Sequence, residues 1–280
     1  MMENSFYTPA EVVELNMKGS ENKANLPLRK MILLGIMAGM FIALGGATSN
    51  TAVHNIENVG LARALAGAIF PVGLMMIVFV GGELFTGNCL IIMDVFAKRV
   101  SLAKMLRNLA VVYLSNLVGA LFVDILIFYS GNLKYTDCLL GAYTIKVAIG
   151  KIAVTPVSAI TSGILCNVLV CIAILMAAAA KDIVGKIWAI FFPIWAFVIG
   201  GFEHCVANMF YIPMGMLAAK NADYAAKAQE VYGITAEQLA SLNIIDSLAN
   251  FIPVTIGNML GGMLVVGGLC FKIYKGSHQK

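Results

Sequence analysis

The stretch Gly200-Gly201-Phe202-Glu203-His204-Cys205-Val206-Ala207-Asn208-Met209 sets a glutamate, a histidine and an amide inside an apolar run. No charge occurs from Ile187 to Ile199 before it or from Met209 to Ala219 after it. Ionisable groups at that depth are expensive in hydrocarbon, and by default they serve function, facing an interior or a water-filled path. An imidazole there can donate a hydrogen bond to an anion or exchange a proton near neutral pH. The bland alternative for His204 is a structural histidine bonded to a carbonyl. Adjacent helical residues point about 100° apart, so Glu203 is expected to engage backbone or helix partners rather than grip His204. The chemistry is that of a permeation site.

A second polar cluster is Gly81-Gly82-Glu83-Leu84-Phe85-Thr86-Gly87-Asn88. Thr86 offers a hydroxyl donor at the depth expected for His204, although such a hydroxyl can also bond its own helix. Asn167 and Asn258 are further amides within apolar segments. They either border the same path or join helices. Lys151 precedes Thr155-Pro156 at the expected outer edge of the fourth span. It either snorkels to the interface or, facing inward, raises the local anion concentration.

The elements that must position these groups are membrane spans. Of 280 residues, 60% are hydrophobic and 12% charged, against roughly 25% charged in a soluble domain. The fold class is therefore an all-α polytopic membrane protein. Six apolar segments, about 31–47, 64–96, 108–129, 157–180, 187–217 and 248–271, are long enough to cross a core of about 30 Å. The second and fifth exceed one straight span, and both contain glycine pairs, so both are expected to be broken helices.

Residues 1–30 read as a polar N-terminal tail, 31–272 as one transmembrane domain and 273–280 as a C-terminal tail. The first span is expected to act as the targeting signal. In the tail, Thr8-Pro9-Ala10-Glu11 fits a capping box, predicting a short helix to about Met17 with Val12, Val13 and Leu15 on its apolar side. Thr235-Ala236-Glu237-Gln238 predicts another short helix in the long loop from Lys220 to Asp246.

Thirteen Lys and Arg fall on the side that holds both tails and six on the other. By the positive-inside rule both termini are cytoplasmic, in the cell membrane. The net charge of +4 is that same bias and gives no support for nucleic-acid binding. The six cysteines are expected to pack as small apolar groups rather than form a disulfide framework.

The order Pro, Gly-Gly, Glu, then Asn-x-x-Gly occurs twice, through Pro71, Gly81-Gly82, Glu83 and Asn116, and again through Pro193, Gly200-Gly201, Glu203 and Asn258. Three spans separate the equivalents, predicting a 3+3 inverted repeat whose interrupted helices mark a site near the midplane. Freed backbone groups are tolerated only in a polar cavity or buried in protein. Half-helix amino-termini favour anions there. Gly82, Glu83, Gly201 and Glu203 are expected to hold the two breaks in shape.

An enzyme lacks its ingredients: no nucleophile elbow, HExxH, phosphate loop or facing Asp pair occurs. One in-span histidine makes poor metal coordination, and no cofactor is expected. A water or glycerol pore would show paired Asn-Pro-Ala turns, and an ammonium pathway would show paired in-span histidines; the chain has neither.

Four motifs in order resemble the formate/nitrite transporter family. They are Gly82-Glu83-Leu84-Phe85-Thr86-Gly87, Gly163 to Cys171 around Asn167, Gly201 to Gly215 through Glu203-His204 and Asn208, and Ile252 to Asn258. The resemblance covers essentially the whole chain. It implies an aquaporin-like protomer, a homopentamer with one pore per protomer, and passage of small monovalent anions such as formate, nitrite or hydrosulfide, with chloride overlapping. It places His204 as the central pore histidine, Thr86 as its partner and Lys151 in a vestibule. Asn167, Asn208 and Asn258 become polar pore residues. Leu84 and Phe85 fall at a cytoplasmic constriction, Phe70 and Phe197 at an outer one. Gly87-Asn88 and Glu83 lean the reading towards a hydrosulfide branch, with formate or nitrite as the alternative.

Overall fold

In the computed structural model, which describes residues 5–275, the chain is helical nearly throughout. Helix α1, Pro9–Ala24, lies against one face of the bundle. The membrane-length helices are α2 (Leu28–Val53), α3 (Val59–Val80, kinked at Phe70-Pro71), α5 (Leu102–Ser130), α7 (Pro156–Ala179), α8 (Ile183–Gly200) and α12 (Ile244–Tyr274). Two shorter apolar helices complete the interrupted segments, α4 (Phe85–Phe96) after α3 and α9 (Cys205–Ala218) after α8. On the opposite face α6 (Leu139–Ile152) precedes α7, while α10 (Ala222–Tyr232) and α11 (Ala236–Ala240) precede α12.

Tight helix approach sets the frame. At Gly39 of α2 and Gly119 of α5, a methyl group would run into the backbone of Asn116 and Ile36. Such small-residue contacts are how membrane helices approach closely without a hydrophobic drive between them. In α12 the nine residues Leu260–Gly268 wind more widely than an α-helix. A side chain at Gly262 would collide with the Asn167 amide.

Helix α1 differs from its expected form. The Thr8/Glu11 capping box is present, with Thr8 N–H donating to Glu11 Oε2 at 2.7 Å. The helix runs on to Ala24 instead of stopping near Met17: Gly19 does not end it, and no proline interrupts the run before Pro27. Val12, Val13 and Met17 are buried against Leu90, Met93, Leu175 and Val266, whereas Leu15 is exposed. Full burial of such side chains contributes about 1.5–3 kcal/mol each, so α1 is part of the packed body. Arg99 and Lys275 both pair with Glu14 on its exposed side. They draw the Glu14 carboxyl well below its ordinary value, to about 2. The C-terminal tail beyond Lys275 lies outside the described residues.

Candidate permeation site

Both glycine-rich segments break their helices. Helix α3 ends at Val80, Gly81–Leu84 is non-helical, and α4 starts at Phe85; α8 ends at Gly200, and α9 starts at Cys205 after a non-helical turn. The left-handed corners are Gly81 (φ 103°) and Gly201 (φ 67°), a region glycine enters without steric cost. Gly82 is therefore not the turning residue of the first break; it lies against Ala38 and Ile77.

At each break one asparagine takes up a freed carbonyl and a freed N–H and ties them to a carbonyl of a neighbouring helix. Asn116 donates to Gly35 O (2.8 Å) and Glu83 O (2.9 Å) and accepts from Phe85 N–H (3.0 Å). Asn258 donates to Gly163 O (2.8 Å) and Glu203 O (2.9 Å) and accepts from Cys205 N–H (2.9 Å). The glutamates repeat the pattern. Glu83 accepts from Asn88 (2.7 Å), which also donates to Asn108 (2.8 Å), whose own amide bonds Lys23 O at 3.1 Å. Glu203 accepts from Asn208 (2.7 Å), which also donates to Asn250 (2.7 Å), whose amide bonds Lys151 O at 2.8 Å. A lysine closes each chain: Lys151 Nζ is 2.6 Å from Glu203 Oε1, and Lys23 Nζ is 3.5 Å from Glu83 Oε1. The duplicated unit thus includes a peripheral helix, α1 in one half and α6 in the other.

These contacts revise three sequence assignments. Asn258 directs its amide at backbone oxygens, and so does Asn167, which donates to Thr86 O (3.2 Å) and Asn258 O (2.6 Å). Both are braces, joining separate helices through backbone carbonyls. Lys151 sits on α6 rather than at the edge of the fourth span, with its charge partnered. Asn208 lines the cavity beneath the opposite face, and its Oδ1 has no partner among the described residues.

His204 and Thr86 meet where the two half-helices begin. Thr86 Oγ1 is 3.0 Å from His204 Nε2, and both side chains are buried. His204 also caps α9, its Nδ1 accepting from Ala207 N–H at 3.0 Å. With Nδ1 an acceptor, the ring proton resides on Nε2 and donates to Thr86 Oγ1. The Thr86 hydroxyl proton is then left to point elsewhere, as a donor.

Toward the opposite face, the Phe70 and Phe197 rings meet edge-on with centroids 5.5 Å apart, and Phe197 lies 6.0 Å from the His204 ring. Above them a cavity of about 350 Å³ is bordered by Lys151, Glu203, Asn208 and Tyr211. Toward the terminal face Leu84 is buried within the first break. Phe85 is turned aside. Its N–H is fixed by Asn116, and its ring sits edge-on to Tyr113 at 4.9 Å, lining a lateral apolar groove with Leu109 and Met259. Such an aromatic pair contributes about 0.5–1.5 kcal/mol beyond its burial, so of the two expected constriction residues only Leu84 remains a candidate.

All six cysteines are free thiols. Cys89 and Cys171 approach Phe85 O (3.6 Å) and Thr86 O (3.7 Å) as weak donors at the first break. Among the described residues no three His, Cys, Asp or Glu side chains gather as metal ligands.

Six membrane-length helices, two of them broken around a buried hydroxyl–imidazole pair, define a polytopic membrane transport protein. Its relatives are specific. The formate/nitrite transporter family profile matches residues 10–272, and the chain belongs to that family. A probable formate transporter of Methanothermobacter thermautotrophicus is 37% identical, with 98% of this chain and 99% of that protein aligned. The formate channel FocA of Haemophilus influenzae is 36% identical over 93% of this chain and 92% of its own. Among solved structures, a pentameric formate channel with formate bound superposes with a TM-score of 0.79 at 32% identity, covering 88% of this chain and 97% of that one. An FNT family ion channel gives 0.77 at 27% identity, covering 92% and 96%.

Proposed function

We propose that the protein is a membrane channel or transporter for small monovalent anions of the formate and nitrite type, working as a homopentamer in the cell membrane with both termini cytoplasmic. The observation that carries this reading is the Thr86–His204 pair at the amino-terminal ends of two half-helices. Partial positive charge converges there, and Thr86 holds a hydroxyl proton free for an anion.

An anion entering from the face opposite the termini meets the ammonium of Lys151, which is more exposed than the carboxylate behind it. It sheds water at Phe70 and Phe197, accepts a hydrogen bond from Thr86 backed by His204, and leaves past Leu84. On the terminal side Lys23, also more exposed than its Glu83 partner, presents the same positive front. His204 acts here as a donor and helix cap, with Nδ1 committed to Ala207.

Formate or nitrite is favoured over hydrosulfide. The features behind the hydrosulfide lean have structural roles: Glu83 and Asn88 occupy the positions of Glu203 and Asn208 in the two networks. The named relatives, moreover, are formate channels and transporters.

The test is flux into proteoliposomes for formate, nitrite, hydrosulfide and chloride at two pH values. Formate or nitrite should pass most readily. Water or ammonium passage without any anion flux would overturn the reading.

A further inference from the structure

Above the Lys151 cavity on the opposite face lies a second, wider chamber of about 480 Å³, bounded by α3, α6 and α10. The two spaces share Arg63, Tyr143 and Val147 as common walls, so they lie against one another. Neither Arg63 nor Lys146 forms an ion pair with a carboxylate among the described residues. Arg63 Nη1 donates to Ile199 O at 3.1 Å, which leaves most of the five guanidinium N–H donors uncommitted. Lys146 Nζ sits 4.3 Å over the Tyr232 ring, and Tyr143 and Tyr232 supply aromatic walls. His54 adds no donor, its nitrogens being engaged by Thr51 O and Thr136 Oγ1, both at 2.8 Å. Glu57 contributes the one acidic side chain of the lining.

We propose that this chamber binds a bulky organic monocarboxylate, an aromatic acid, which lodges there and blocks the path without passing through it. The volume lies within the range of about 300–1,000 Å³ typical of small-molecule sites, which pair apolar walls with a few placed polar groups. A formate-sized ion would leave such a space mostly empty. An aromatic acid fills it, its ring against Tyr143 and Tyr232 and its carboxylate between Lys146 and Arg63. The edge-on Phe70–Phe197 pair below stops the ring from descending.

The inference rests on the anion-path reading, and benzoate separates the two. Equilibrium binding of benzoate to purified protein is compared with that of benzamide, its uncharged analogue, for the native chain, Lys146→Gln and Tyr232→Leu. Both substitutions lie at the surface-facing chamber, and unchanged thermal unfolding establishes that the variants fold. Saturable benzoate binding, weakened about tenfold in each variant and about tenfold for benzamide, is expected, about 1.4 kcal/mol in each case. In proteoliposomes benzoate should slow formate flux and should not itself cross. Absent binding, binding indifferent to both variants, or benzoate crossing as fast as formate would overturn the chamber assignment. If benzoate binds as expected while no small anion is conducted, the chamber stands and the path reading falls.

Discussion

Lys151 sets its ammonium nitrogen 2.6 Å from Glu203 Oε1, with 19% of the lysine side chain exposed against 6% of the glutamate. The cavity therefore faces the positive end of a pair whose negative end braces a helix break. Removing one partner of a buried pair costs about 3–5 kcal/mol, because the other charge is left uncompensated. Lys151→Met should lower the thermal unfolding midpoint sharply, and Lys151→Met with Glu203→Gln should restore most of it. Flux at low anion concentration should stay reduced in the double variant. Full recovery of both would leave Lys151 with a structural role alone.

His204→Gln keeps an N–H at the depth of Nε2 for Thr86, yet cannot take up a proton. Formate flux in this variant should stay close to native, whereas His204→Ala should lose about tenfold, the worth of one hydrogen bond of about 1.4 kcal/mol. Loss in His204→Gln equal to that in His204→Ala would show that proton exchange, not donation, is the essential act.

Asn116 and Asn258 each satisfy one carbonyl and one N–H freed by a break and tie them to a carbonyl of a neighbouring helix. Leaving a buried group unpaired costs about 1–3 kcal/mol. Asn116→Leu and Asn258→Leu should destabilise to a similar degree, read as matched shifts in the unfolding midpoint. An effect confined to one of them would deny that the two networks bear equal weight.

Glu14 is held at about 2 by the Arg99 and Lys275 hydrogen bonds. Its contribution to α1 docking is fully present above its ordinary value of 4.5 and is lost as pH falls through about 2. Protease accessibility of α1 should rise across that window. Glu14→Gln should raise accessibility at neutral pH and flatten the pH dependence; an unaltered profile would exclude the ion pairs as the latch.

Asp124 is fully buried on α5, and neither carboxyl oxygen has a hydrogen-bond partner among the described residues. Nothing in the structure explains it. An unpaired buried polar group costs about 1–3 kcal/mol, so Asp124→Leu should raise the unfolding midpoint. A fall instead would reveal an interaction that holds the carboxyl.

Spans, glycine corners and the Thr86–His204 pair were legible because polar groups stand out in apolar sequence. The bracing partners were not, because the two copies do not repeat at one period. Lys23 and Lys151 stand 128 positions apart, as do Gly35 and Gly163. Glu83 and Glu203 stand 120 apart, and Asn108 and Asn250 stand 142 apart. Connecting loops changed length while each helix kept its register, so only a helix-by-helix comparison finds Lys23, Asn108 and Asn250. Phe85 escaped for another reason: spacing puts it at the break, and only packing against Tyr113 turns it aside.

Thr86 belongs to the first half of the chain and His204 to the second, 118 residues apart, while Asn167 of the second half holds Thr86 O in place. Neither half owns a complete donor pair. Severing the connection between Ser130 and Leu139 would leave two pieces that are each inert and must recombine to act. The gap at the centre behaves as an interface between two folded modules, and its width is set by how well they fit each other.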